Sequence, residues 1–122
     1  MTERNWLLQR YIELLADLPV RLLEVPEEVL SSVHLAVIRL QQVSAQEHRR
    51  VFEGLRTAGI GVQLHYSPVN LQPYFRVMGF AEGQFPEAEA YASSAISLPL
   101  YPGIHAADQQ YVINSLKILL SA

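Results

Sequence analysis

A chain of 122 residues is one domain's worth of polypeptide, and its 50% hydrophobic content is enough to build a core. Nine basic residues against twelve acidic ones give a formal charge of -3, which speaks against a nucleic-acid footprint or a polybasic membrane patch. The absence of cysteine excludes a disulfide framework and Cys-ligated metal; with no apolar run near the roughly 18 residues of a membrane span and a polar start, MTERNW, the sequence reads as a soluble domain of the reducing cytoplasm.

Leu7, Leu8, Tyr11, Leu14, Leu15 and Leu18 recur at helical spacing ahead of Pro19, which predicts a first amphipathic helix over 3–18. A Pro-punctuated connector follows. VHLAVIRL, residues 33–40, is apolar at both alternating sets of positions and predicts a strand covered on both faces. Ser44 and Glu47 have capping-box spacing, His48, Val51, Phe52 and Leu55 make one face, and Gly59 ends a second helix over 45–58. Residues 61–66 alternate, with Val62, Leu64 and Tyr66 on one side and Gln63 and His65 on the other, as a strand does. Pro86 suits a helix start within 85–95, ISLPL at 96–100 reads as a short strand that Pro99 confines to an edge or a strand end, and residues 108–120 carry Val112, Leu116, Leu119 and Leu120 on one stripe. The expected class is α+β, a small antiparallel or mixed sheet of about three strands with helices packed on it.

Between the second strand and the Pro86 helix lies a segment that a mere connector does not need. HYSPVNLQPYF, residues 65–75, collects rings and hydrogen-bonding tips between two prolines. Elsewhere the chemistry is sparse. The histidines at 34, 48, 65 and 105 lack metal-ligand spacing and read as hydrogen-bonded or exposed side chains. GIG at 59–61 follows a helix and precedes a strand, the reverse of a phosphate-cradling loop, and there is no GxSxG elbow. Lys117 is the sole lysine and falls in the last helix, where exposure to solvent is expected rather than the desolvated pocket of a Schiff-base amine.

The runs GIGVQLHYSPVNLQPYF, GFAEGQFPEAEAYASSAISLPLYPGI and ADQQYVINSLKILL, in that order and spacing, resemble the C-terminal small domain of DegT/DnrJ-type sugar aminotransferases, which are fold-type I pyridoxal-phosphate enzymes. Within that family the sequence looks most like the nucleotide-sugar 4-aminotransferases of surface polysaccharide and glycoconjugate synthesis. The resemblance extends from the first helix to the end, so residues 1–122 correspond to the small domain. It implies a longer parent enzyme whose large domain, absent from these residues, supplies the Schiff-base lysine and the acidic partner of the pyridinium nitrogen. No cofactor is expected in this chain, and pyridoxal phosphate is expected in the parent.

The resemblance also implies partners and roles. The parent would be a homodimer that moves an amino group from glutamate to a 4-keto-6-deoxy nucleotide sugar, with the small domain closing over the cleft. His65, Tyr66, Asn70, Gln72 and Tyr74 would then be substrate-binding residues, presented on a loop stiffened by Pro68 and Pro73. Asn70 stands where many members have histidine, and it can hydrogen-bond but not carry a proton. Tyr101 would line the cleft or pack at a strand end, Arg39 would reach a substrate carboxylate or make an edge ion pair, the better-supported of its two readings, and Glu87 and Glu89 would serve a helix N-terminus. The alternative is a stand-alone binding or interaction module on the same fold, without catalysis.

Overall fold

Leu7, Tyr11 and Leu15, four residues apart, form the buried stripe of α1, Thr2–Leu15. The computed structural model describes residues 2–121, so Met1, which precedes this helix in the sequence, lies outside the described residues. The helix stops short of the expected 18. Pro19 disfavours helical geometry at the residue before it, and the Leu18 N–H turns back to the Leu15 carbonyl at 3.0 Å. The chain then enters β1, Val20–Leu22, a three-residue strand within what the sequence presents as a connector.

β2, Ala36–Leu40, is the centre of a three-stranded sheet that is antiparallel throughout, in the order β1-β2-β3. Val20, Arg21 and Leu22 stand opposite Leu40, Arg39 and Ile38, and the β3 residues Ala95 to Leu98 pair with Arg39 back to Ala36. Ala36, Ile38 and Leu40 are buried, but Val37 and Arg39 are only half-buried. The expectation of two covered faces therefore holds for one face and fails for the other.

On the covered side lie α1, α2 (Ala45–Thr57) and α5 (Ala106–Ser121), whose Tyr11, Leu15, Val51, Leu55, Val112, Ile113 and Leu116 join the core with Ile38, Ile96 and Leu98. Ser44 Oγ accepts the Glu47 N–H at 3.1 Å and starts α2 as its spacing predicts. At the other end Gly59 adopts φ +83°. Its N–H reaches the Arg56 carbonyl while that of Ile60 reaches Leu55, both at 3.0 Å, which is a Schellman closure.

The expected strand over 61–66 is a single bridge, Gln63 to Ser97, with N–H···O distances of 3.2 and 2.9 Å. Val62 is buried while Leu64 and Tyr66 are exposed, so the alternation in sequence buries one residue rather than three. Beyond it the segment is more ordered than its loop-like composition suggests. A 3₁₀ turn spans Val69–Leu71, and Pro73 opens the short helix α3, Pro73–Val77. α4, Pro86–Ala92, follows with Pro86 at its first turn, and the Glu89 carboxylate accepts the N–H groups of Phe85 and Gly83 at 3.1 and 2.9 Å. Glu89 thus serves the helix N-terminus as expected.

The ends of the chain meet across the core. Tyr11 Oη donates to the Pro99 carbonyl at 2.7 Å, Gln109 Nε2 donates to the Leu7 carbonyl at 3.0 Å, and the Gly103 N–H donates to Glu3 at 2.9 Å. Among the described residues no helix is long and apolar enough to cross a membrane.

Candidate functional site

Because residues opposite each other in a ladder share a face, the register assigns Arg21, Arg39, Val37, Ala95, Ser97 and Gln63 to the side of the sheet away from α1, α2 and α5. The segment bearing the substrate-binding candidates runs along that side from the outer edge of β3. Ser97, though buried, is polar, and its Oγ lies 2.8 Å from His65 Nδ1 in a shared hydrogen bond. A half-buried His65 is thereby held in one ring orientation, and its Nε2 has no protein partner among the described residues. The Tyr66 ring meets it edge-on, 4.6 Å between centroids, across a cis peptide bond, and is 72% exposed.

Asn70 has another station. It is buried, and its Nδ2 donates to the Ala81 carbonyl at 3.2 Å, tying the 3₁₀ turn to the segment before α4. Next to it Phe75, Phe80 and Phe85 form a chain of tilted and edge-on rings, 6.0 and 6.1 Å apart. With Val69, Asn70 and Ala88 they line an apolar cavity of about 310 Å³. Tyr74 stands edge-on to Phe75 at 5.1 Å with its hydroxyl end exposed, and Gln72 is exposed, its carbonyl accepting the N–H groups of Phe75 and Arg76 at 3.0 Å. The five candidates therefore fall into a His65–Tyr66 pair on the sheet edge and an Asn70–Gln72–Tyr74 group on the helical turns. No hydrogen bond or ring contact among the described residues joins the two.

Among the described residues Arg39 does not make the edge ion pair foreseen for it. It lies on the central strand, not an edge, its Nε donates to Ser94 Oγ at 3.2 Å, and its guanidinium carbon stands 5.4 Å from the centre of the Tyr91 ring. The ion pair found among the described residues is Arg49–Glu53, on the surface of α2. Tyr101 is half exposed beside Pro99 and Ile104 in another surface depression, of about 360 Å³. Of the histidines, His48 is buried with Nε2 donating to the Ala95 carbonyl at 2.9 Å, a structural contact. Ser97, Tyr91, Phe80 and Phe85 carried no functional signal in sequence, whereas Phe75 closes the ring-rich run 65–75. Only the F-P and L-P punctuation near them marked where the chain turns.

An α+β domain with three antiparallel strands and helices on one face is the architecture of the small C-terminal domain of fold-type I aminotransferases. The profile of the DegT/DnrJ/EryC1/StrS aminotransferase family matches residues 1–117, and the chain belongs to that family. It is 35% identical over 107 residues to the pleiotropic regulatory protein of Geobacillus stearothermophilus, covering 87% of this chain and 28% of that protein. Its fold superposes with a TM-score of 0.93 on Spr1654 of Streptococcus pneumoniae, provisionally described as a sugar aminotransferase and solved in PMP and PLP forms, at 28% identity over 98% of this chain and 31% of that one. A family member from Brucella abortus gives a TM-score of 0.81 at 25% identity, over 99% of this chain and 31% of its own. The chain thus spans less than a third of the length of these relatives.

Whether these residues fit pyridoxal phosphate can be judged from Lys117. It is exposed on α5, not set in the desolvated pocket that activates a Schiff-base amine.

Proposed function

We propose that residues 1–122 act as the small domain of a cytoplasmic, homodimeric, pyridoxal-phosphate-dependent aminotransferase that moves an amino group from glutamate to a 4-keto-6-deoxy nucleotide sugar. The observation that carries this reading is the superposition of nearly the whole chain on a relative described as a sugar aminotransferase. The cofactor supplies the amino-group chemistry from the large domain of the complete enzyme; this domain's part is to bind and enclose. His65, oriented by Ser97, offers Nε2 to a sugar hydroxyl or phosphate oxygen, and the exposed rings of Tyr66 and Tyr74 offer flat faces to the sugar. Asn70 and Gln72 shape the turn that carries Tyr74, Asn70 through its hold on Ala81 and Gln72 through its backbone carbonyl.

The test is made in the complete enzyme. His65→Ala and Tyr74→Phe are expected to lower kcat/KM on the keto sugar by roughly ten- to a hundredfold, as loss of a hydrogen bond to a charged group does, with cofactor absorbance and Tm unchanged. Unaltered kinetics in both variants would remove this segment from the substrate site, and a Tm loss in step with activity would make its role one of packing.

A further inference from the structure

The open face of the sheet holds two arginines where folding alone disfavours them. Arg21 on β1 is directly opposite Arg39 on β2, with side chains on the same face, and like charges so paired repel at a separation of about 5 Å between Cβ atoms. Among the described residues no carboxylate lies within ion-pair distance of either one; Glu24 borders the same depression without pairing. Arg39 is nevertheless held still. Ser94 gives its own proton to the Ala90 carbonyl at 2.9 Å and accepts from Arg39 Nε, while the Tyr91 ring lies under the guanidinium. Both Nη groups of Arg39, and all of Arg21, are left without a protein acceptor among the described residues. They line a surface depression of about 280 Å³ whose remaining walls are Leu22, Leu23, Glu24, Val37 and Tyr91.

We propose that the Arg21–Arg39 pair, backed by Tyr91, binds the phosphoryl group of a small phosphorylated molecule. Two guanidinium groups side by side carry two positive charges, which a phosphoryl dianion matches and a single carboxylate does not. Three terminal oxygens allow one anion to accept from both strands at once. Leu23 and Val37 give the attached organic group an apolar wall. The site is separate from the His65–Tyr74 segment and stands or falls without the function proposed for it.

The experiment titrates the full chain with inorganic pyrophosphate, following the arginine Nε–H signals and the Tyr91 ring by NMR, with glutarate as a carboxylate of similar reach. Saturable shifts at Arg21, Arg39 and Tyr91 are expected, with pyrophosphate binding roughly ten- to a hundredfold tighter than glutarate. Arg21→Gln and Arg39→Gln should each weaken it by a similar factor, and Arg49→Gln, on α2, should not. In the absence of anion Arg21→Gln should also raise Tm, and pyrophosphate should raise the Tm of the unaltered chain but not of this variant. Shifts confined to other arginines, or equal binding by Arg21→Gln, overturn the site. Tighter binding of glutarate overturns the phosphoryl assignment in favour of a carboxylate. A variant that fails to fold leaves the shift map of the unaltered chain to decide.

Discussion

Tyr11 is fully buried, and its hydroxyl donates to the Pro99 carbonyl. Tyr11→Phe keeps the ring and strands that carbonyl, at an expected cost of about 1–2 kcal/mol in urea unfolding near neutral pH. The same burial pushes the phenol well above its ordinary value near 10, a rise that the Gln109 amide trims and Tyr101 slightly reinforces. The folded state therefore keeps its proton where the unfolded chain loses it, so this contribution is complete below pH about 10 and falls as pH rises beyond it. Tyr11→Phe should flatten the alkaline loss of stability by up to about 1.4 kcal/mol per pH unit; an unchanged slope between pH 9 and 11 would show that the phenol does not govern it. His65 differs from Tyr11 in kind, since its ring is tied by one nitrogen and open at the other, and its test accordingly reads kinetics rather than stability.

Among the elements, α2 carries its own punctuation. Ser44 and Gly59 mark its limits in sequence and perform those roles in the fold, and Gly59→Ala, forced to φ +83°, is expected to cost about 1–2 kcal/mol, read as a fall in Tm. A Tm within error of the parent would mean that the turn relaxes to another closure. The longer helices α1, α2 and α5 were legible because a 3.6-residue period repeats over several turns, and α4 through Pro86, whereas the five-residue α3 was not foreseen. The short strands were less so. β1 has three residues, too few for a period of two to show, and the alternation at 61–66 is real in sequence but is cut off between Gly61 and Pro68, leaving one bridge. For the same reason the candidate site was half legible. The concentration of rings and amides in 65–75 stands out as a segment, whereas the burial of Asn70, the Ser97 contact and the facing of Arg21 with Arg39 depend on register, which belongs to the fold and not to any local stretch.

Taken whole, the domain is well packed on one side and apolar at its surface on the other parts. Leu23, Leu30 and Val77 are 74%, 74% and 90% exposed, apolar surface of the kind that interaction sites present. Inside, the three contacts between the chain's two ends set a timetable as well as a shape. Tyr11 precedes its partner by 88 positions, and a ribosome adding about 5–20 residues per second needs roughly 4–18 s to deliver it, with Gln109 later still. Until its end α1 lacks β3 and α5, while β1, β2 and α2 become available to each other well before. Within this domain birth order and docking order are thus opposed: the first of its helices to be made should be among the last to settle. Nascent chains arrested with residue 95 just outside the ribosomal tunnel are expected to leave α1 open to protease and to hydrophobic-segment chaperones, and full-length chains to protect it. Protection of α1 in the arrested chain would show that β1, β2 and α2 can seat it before β3 and α5 emerge.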